Sequence, residues 1–204
     1  DYTTIRYAEY GGYGYGDFVA IENDGGVVNI NHSTIEMGKY RGIWQKSGEI
    51  KIENSVISEH SYGLIVDSGT TTVSHSLIKN NQDVGIYYGG RESVTLMNNE
   101  FFGNGKTAFV YIGADFVHSG NTSSDFADRG FRMNGVSKDG TILNSNDLPI
   151  IVEGNISVLP EQTLTIAPGT IIKFGNIYGM GAIDVQGNLV VEGTEPGKVN
   201  AIWN

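Results

Sequence analysis

The sequence predicts an all-β solenoid, and three observations support that prediction. The segment INHSTIEMGKYRGIW at residues 30–44 is followed by a close relative, IENSVISEHSYGLIV, at residues 52–66. The chain holds 29 glycines and only 4 prolines, with recurrent Asn, Ser, Thr, Val and Ile, a mixture that favours short strands and tight turns. Apolar residues recur at intervals of 25, 22, 21 and 23 residues, at Ile5, Ile30, Ile52, Val73 and Leu96. Each copy is too small to bury its apolar face alone, so we expect stacked coils of about 21–25 residues, which form a parallel β-helix.

Two further apolar columns keep the same rhythm. The second column is Tyr10, Ile35, Ile57, Ile78 and Phe101, and the third is Phe18, Ile43, Leu64, Ile86 and Phe109. A degenerate sixth copy places Val117 in the first column and Phe131 in the third. Neighbouring strands of a stack lie about 4.8 Å apart, so each column predicts a continuous interior ridge.

Polar residues and glycines mark the predicted corners of each coil. The turn residues after the first column are Tyr7, His32, Asn54, His75 and Asn98, followed by Ala8, Ser33, Ser55, Ser76 and Asn99. Asn and Ser satisfy backbone groups at bends, and Asn tolerates left-handed conformations. Gly42, Gly63 and Gly85 predict a second corner just before the third column.

This pattern resembles the right-handed parallel β-helix repeat proteins of the pectate-lyase-like superhelix type, over residues 3 to 133. The motif I-x-N-S-x-I followed by G-I or G-L carries the resemblance. That group includes polysaccharide lyases and hydrolases as well as noncatalytic bacterial and archaeal surface proteins and adhesins. The N-x-D, D-D, G-H-G and R-I-K series of pectin hydrolases is missing here. No arginine of this chain stands in the context of the pectate lyase arginine motif.

The rhythm changes after residue 140, which predicts two regions: β-helix coils over residues 1–140 and further β-helix coils over residues 141–204. LTIAPGTIIKF and LVVEGT in the second region resemble the opening coils of surface-exposed β-helix proteins, which commonly precede coils like DYTTIRYAEYGG. Three interpretations stay open. The tail begins a following tandem unit, the chain ends stack on other chains, or the solenoid simply continues with irregular coils.

Charge and composition limit the partners. With 13 basic and 23 acidic residues the formal net charge is −10, so we do not expect a nucleic acid partner. There is no cysteine for a disulfide or thiolate site, and no apolar run approaches the ~20 residues that span a bilayer. We expect no cofactor and no membrane insertion.

Most candidates for chemistry fit a structural role better. Glu36 and Glu59 fall on neighbouring copies, near enough for the two carboxylates of a glycosidase, but both are expected at exposed turns. Asp125 and Asp128 are consistent with a calcium loop or, better, a solvated loop. His32 and His75 share a column with Asn54 between them, too far apart for one metal ion. We therefore assign no catalytic or metal residue.

One predicted surface is a stronger candidate for a binding site than these residues. Val19, Trp44, Ile65, Tyr87 and Val110 follow the third column by one position, so strand alternation predicts that they point outward as an apolar stripe. Such a stripe is typical of an interface, and its rings could stack on sugars, although a covering loop or domain explains it equally well. A second group, Tyr15, Tyr40 and Tyr62, with Tyr13 nearby, predicts stacked tyrosines at a coil edge.

We therefore expect a noncatalytic extracellular or cell-surface module that binds a polysaccharide or a protein, or associates head to tail with itself. A carbohydrate-active enzyme, either a polysaccharide lyase or a glycoside hydrolase with unfamiliar catalytic residues, is the alternative.

Overall fold

The computed structural model describes residues 3–6, 18–125, 129–175, 181–193 and 200–203, and these ranges contain strands and no helix. The strands of the first part are β1 Thr3–Arg6, β2 Val19–Asn31, β3 Ser33–Glu36, β4 Arg41–Glu53, β5 Val56–Ser58, β6 Tyr62–Val66, β7 Thr70–Ser74, β8 Leu77–Lys79, β9 Val84–Tyr88, β10 Ser93–Met97 and β11 Glu100–Phe102. They are followed by β12 Ala108–Tyr111, β13 Asp115–Ser119, β14 Thr122–Ser123, β15 Phe131–Val136, β16 Thr141–Leu143, β17 Ile150–Val158, β18 Thr163–Ile166, β19 Ile171–Phe174, β20 Ala182–Val185, β21 Asn188–Val191 and β22 Asn200–Trp203.

The strands stack as a parallel β-solenoid of about eight turns, which confirms the predicted fold class. The first wall holds the later halves of β2 and β4 with β7, β10 and β13. The second wall runs in the order β1-β3-β5-β8-β11-β14. The third wall holds the early halves of β2 and β4 with β6, β9, β12, β15, β17, β19 and β22.

The columns of the central coils have the predicted register. Ile52 pairs with Ile30 and Val73, and Val73 pairs with Leu96. Ile35, Ile57, Ile78 and Phe101 align in the second wall, and Ile43, Leu64 and Ile86 align in the third. These side chains are almost wholly buried and form the core.

The predicted register is wrong at the edges of the repeat. Ile5 pairs with Ile35 and so belongs to the second column, not the first. Phe18 does not enter the third column, where Ile21 pairs with Ile43. His118, not Val117, pairs with Leu96 in the first column. Val117 points to solvent, with 54% of its surface exposed.

A register error of one residue also affects the third column at β12. Ala108, not Phe109, pairs with Ile86 and is fully buried. Its next partner is Phe131, as predicted for the sixth copy. The larger Phe109 is directed outward because side chains alternate along the strand.

The corners are held by side-chain ladders that run along the stack. His32, Asn54, His75 and Asn98 have positive φ angles of 46° to 54°, which confirms them as left-handed turn residues. The following column bonds from coil to coil: Ser76 N–H donates to Asn99 Oδ1 over 3.0 Å, and Asn99 N–H donates to Asn121 Oδ1 over 3.0 Å. This ladder ends on the carboxylate of Asp147, which accepts from Asn121 N–H over 2.9 Å.

A second ladder lies beside the glycine corner. It runs from His60 through Asn81 and Asn104 to Asp125, each backbone N–H donating to the next side chain over 2.8–3.2 Å. Gly63 lies against it, and a Cβ atom there would be 2.5 Å from the carbonyl oxygen of Gly85 and 3.0 Å from Nδ2 of Asn81. The second corner therefore needs glycine for space, since no side chain fits between the coils.

The solenoid is interrupted in two of its three walls after the fifth coil. The first wall ends at β13 and the second at β14, and among the described strands neither pairs with β16. The third wall continues without a break, with Ala108 paired to Phe131 and Phe131 to Ile150. β16, β18 and β21 form a separate three-stranded sheet.

The strands after residue 140 stack on the earlier coils through the third wall. Ile150 pairs with Ile172 in β19, and the second half of β17 pairs with β20. Val158 and Leu164 are fully buried, whereas Val185 and Val191 in the last described coil are exposed. The division at residue 140 into two regions, and the interpretation of the second as the start of a tandem unit, remain predictions.

Candidate functional site

The outward-facing row of the third wall differs from the predicted stripe at both ends. The pairing Trp44–Ile65–Tyr87–Phe109 defines this outward row. Val110 aligns with Tyr88 and is fully buried, so its predicted outward position is wrong. Val19 pairs with Arg41 rather than with a member of the row. Both errors follow from the register, because the inward residues are Ile21, three positions after Phe18, and Ala108, one position before Phe109.

Trp44 is already engaged by its neighbours. The guanidinium carbon of Arg41 lies 4.1 Å from the Trp44 ring centroid, and the Lys46 ammonium lies 4.4 Å from it. The indole Nε1 donates a hydrogen bond of 2.8 Å to Asp67. Ile65 beside it is only 9% exposed. This end of the row is therefore covered by its own charged side chains.

The other end of the row opens into a groove. The rings of Tyr87 and Phe109 stack with centroids 5.0 Å apart and planes inclined by 7°. A volume of about 280 Å³ lies beside them, lined also by Tyr62, Val84, Lys106, Asn134 and Glu153. We call this the aromatic groove. Parallel stacking covers one face of each ring, so the groove offers ring edges and the outer faces of the pair.

Charged groups border the aromatic groove on its far side. Oε1 of Glu153 accepts a hydrogen bond from Lys106 Nζ over 2.9 Å, and Oε2 accepts one from Arg132 Nη1 over 2.8 Å. Burial alone would raise the pKa of Glu153, but the hydrogen bonds from Lys106 and Arg132 outweigh burial and lower that pKa. The Glu153 carboxylate is thus ionised at neutral pH and accepts hydrogen bonds rather than donating a proton.

The tyrosine group is brought together only in part. Tyr40 and Tyr62 meet edge to face with centroids 5.9 Å apart, and Arg41 lies 5.0 Å from the Tyr40 ring. Burial, with Asp83 as a smaller contribution, raises the pKa of Tyr62, so its hydroxyl stays protonated and available as a donor. Tyr13 and Tyr15 lie outside the described residues.

The other candidates take structural places. Glu36 pairs with Ser58 rather than Glu59 and binds Arg6 over 2.5 Å, so the two glutamates are out of register. Asp125 is not a solvated loop residue: it is 2% exposed and accepts from Thr107 and Asn104 at the end of its ladder. Asp128 lies outside the described residues. Within the described ranges, no group of three or more His, Cys, Asp or Glu side chains could hold a metal ion.

Two sets of residues were missed by the sequence analysis. The ladder from His60 to Asp125 has spacings of 21, 23 and 21 residues, so its period was a readable signal. The Lys106–Glu153 pair joins residues 47 apart, on coils two turns from each other, and no local pattern indicates it.

Comparison with known proteins agrees with this geometry. The described part of the chain has no helix long and apolar enough to cross a membrane. No curated protein and no solved structure gives a significant match. The family model for the right-handed beta helix region matches residues 17–158, which is more than half of the chain. Repeat, parallel pairing and family match agree, and the chain belongs to the right-handed β-helix family.

Proposed function

We propose that this chain is a noncatalytic module of an extracellular or cell-surface protein that binds a polysaccharide along its third wall. The observation that carries the proposal is the aromatic groove, where the Tyr87 and Phe109 rings lie beside Lys106, Asn134 and Glu153. Ring surfaces next to fixed hydrogen-bonding groups suit a sugar, which has apolar C–H faces and a rim of hydroxyls.

The charges of the groove support binding rather than hydrolysis. Glu153 is held as a carboxylate by two cations, so it is a poor general acid for protonating a glycosidic oxygen. It is well placed to accept hydrogen bonds from sugar hydroxyls, while Lys106 and Asn134 supply donors. The groove residues lie on or beside β6, β9, β12, β15 and β17, so a bound chain would cross several coils.

A glycan-array screen tests the proposal. We expect the unaltered protein to bind a subset of polysaccharides, and Tyr87→Ala with Phe109→Ala to lose at least about tenfold in affinity, since stacked ring contacts contribute ~1 kcal/mol or more each. Phe102→Ala is the matched control, because Phe102 is an exposed aromatic residue on the second wall. It should bind like the unaltered protein.

Other results would contradict the proposal. No binding to any polysaccharide, or equal binding by the double variant, would remove glycan recognition by this groove. Release of reducing or unsaturated sugars from a bound polysaccharide would instead support the carbohydrate-active enzyme. Concentration-dependent light scattering without any glycan would favour head-to-tail association as the role of the module.

A further inference from the structure

A cavity lies where the first and second walls are interrupted. Its volume is about 340 Å³, and it separates β13 from the segment that contains β16. Its apolar lining includes Ile112, Phe116, Met133, Leu143 and Ile150. It is on the first-wall side of the fifth and sixth coils, away from the Tyr87–Phe109 stack, so its role is independent of the proposed glycan contact.

The cavity exists because one column is not continued. Ile30, Ile52, Val73, Leu96 and His118 stack in the first wall, but no described strand pairs with β13 on its other edge. In the next coil the register shifts between Met133 and Gly135, and the Tyr111 ring occupies the place where a side chain of residue 135 would lie. The cavity therefore lies along the edge of β13 that has no partner among the described strands.

The one ionisable side chain among the inward residues of this column is His118. Its side chain is 2% exposed, and its Nδ1 lies 2.6 Å from Oδ1 of Asp147. Burial would raise the pKa of Asp147, but hydrogen bonds from His118 and Asn121 outweigh burial and lower it, so Asp147 is a carboxylate. The Nδ1 atom of His118 must then carry the proton of this bond.

This arrangement fixes what the other ring nitrogen can do. In the neutral ring Nε2 is a hydrogen-bond acceptor, and no described residue hydrogen-bonds to it. The ring is held by stacking on Phe116 with centroids 4.5 Å apart and by an edge contact with Phe131 at 4.9 Å. In this neutral form His118 offers the cavity, whose lining also includes Lys138 and Asn144, one fixed acceptor without a hydrogen-bond partner among the described residues.

We propose that this cavity binds a small, largely apolar molecule with one hydroxyl group, which donates its hydrogen bond to Nε2 of His118. Ligand cavities in proteins are about 300–1,000 Å³ in volume and combine apolar walls with few polar groups. This cavity is at the lower end of that range, which limits the ligand to about the size of one ring. The exposed ion pair between Lys138 and Asp115 forms part of the lining of the cavity.

Phenol and toluene test this proposal because they match in size and differ by one hydroxyl. We expect phenol to cause saturable NMR shifts of the His118 side-chain nitrogens and the Met133 methyl group, with at least about fivefold tighter binding than toluene. In His118→Phe, which keeps a ring but removes the acceptor, the preference should fall to within about twofold.

The comparison in the unaltered protein does not depend on any variant, so the proposal can fail even if His118→Phe does not fold. Absence of saturable shifts with either molecule, or equal affinities for phenol and toluene, would overturn it. So would a phenol preference that persists in a folded His118→Phe protein, or shifts that are confined to the aromatic groove.

Discussion

The polar ladder at the first corner predicts a large loss of stability when Asn99 is replaced by alanine. Asn99 is 1% exposed, its Oδ1 accepts from Ser76 N–H over 3.0 Å, and its Nδ2 donates to the carbonyl oxygen of Val73 over 2.8 Å. Its Nδ2 also donates to Oδ1 of Asn121 over 3.0 Å, and the alanine variant removes all three bonds in a place that water does not reach. Each buried polar group left without a partner costs about 1–3 kcal/mol, so we expect a total loss of roughly 3–4 kcal/mol.

Asn99→Ser separates the two bonds that Asn99 makes to backbone groups. Serine occupies this column at Ser55 and Ser76, where its hydroxyl accepts from the N–H of the preceding coil over 3.1 Å. It therefore retains an acceptor for Ser76 N–H but does not reach Val73. We expect about half of the loss seen with alanine, because only one of the two backbone groups is left without its bond.

Thermal unfolding followed by circular dichroism measures the total effect, and amide hydrogen exchange locates it. For a chain of this length 1 kcal/mol corresponds to about 2–4 °C, so Asn99→Ala should lower Tm by roughly 6–16 °C. The Ser76 amide should exchange faster in Asn99→Ala than in Asn99→Ser. Equal Tm values for alanine variant and unaltered protein, or an unchanged Ser76 amide, would show that the ladder does not carry this stability.

Three further predictions follow from the packing and the charges. Ile52→Ala should lower the free energy of unfolding in urea by about 2–5 kcal/mol, because Ile52 is fully buried between Ile30 and Val73. The control Ile142→Ala changes a side chain that is 60% exposed and should stay within about 0.5 kcal/mol of the unaltered protein. Equal losses in the two variants would contradict the buried column. Gly63→Ala should lower the free energy of unfolding by about 1–3 kcal/mol, because its Cβ atom would lie 2.5 Å from a carbonyl oxygen. In the control Gly175→Ala the nearest atom is 3.5 Å away, so the loss should be less than ~1 kcal/mol. A larger loss for Gly175→Ala than for Gly63→Ala would refute the close approach. Because the pKa of Asp147 is lowered in the folded protein, its contribution to stability is complete above the usual aspartate pKa and is lost as the pH falls through the lowered pKa. We therefore expect Asp147→Asn to flatten the acid side of a curve of Tm against pH. An unchanged acid slope would argue against it.

The regular coils could be predicted because the spacing between equivalent residues of neighbouring coils is nearly constant. Ile52, Val73 and Leu96 are 21 and 23 residues apart, and each lies at the same place of the coil as its neighbour. A residue of the same type at the same spacing is then sufficient to assign the register. The turn residues were predictable for the same reason, since His75 and Asn98 repeat a left-handed corner.

The errors arise where size or a distant partner overrides hydrophobicity. Phe109 is more apolar than Ala108, yet the smaller residue fits the interior of the third wall and the larger one stacks outside on Tyr87. His118 is polar but lies inside because Asp147, 29 residues later, satisfies its Nδ1. Single-column reading cannot detect such a partner, because the partner is supplied by a loop outside the repeat.

Only some of the residues that line the aromatic groove could be predicted from the sequence. Tyr87 and Tyr62 were identified from their columns, and both line the groove. The repeat predicts Phe109 in the interior, and none of its columns contains Glu153, which lies after residue 140. The groove combines coils from both sides of that boundary, so neither region alone reveals it.

The uninterrupted third wall also determines how the molecule would respond to tension along its axis. Between the fifth and sixth coils, the backbone ladder of the described strands runs through β12 and β15, while β13 and β14 end their sheets. At the other junctions of the central stack, three ladders of backbone hydrogen bonds share an applied force. At this junction a single ladder carries it. Stretched from its ends, the rod should therefore yield first at this joint, with the coils on either side still intact.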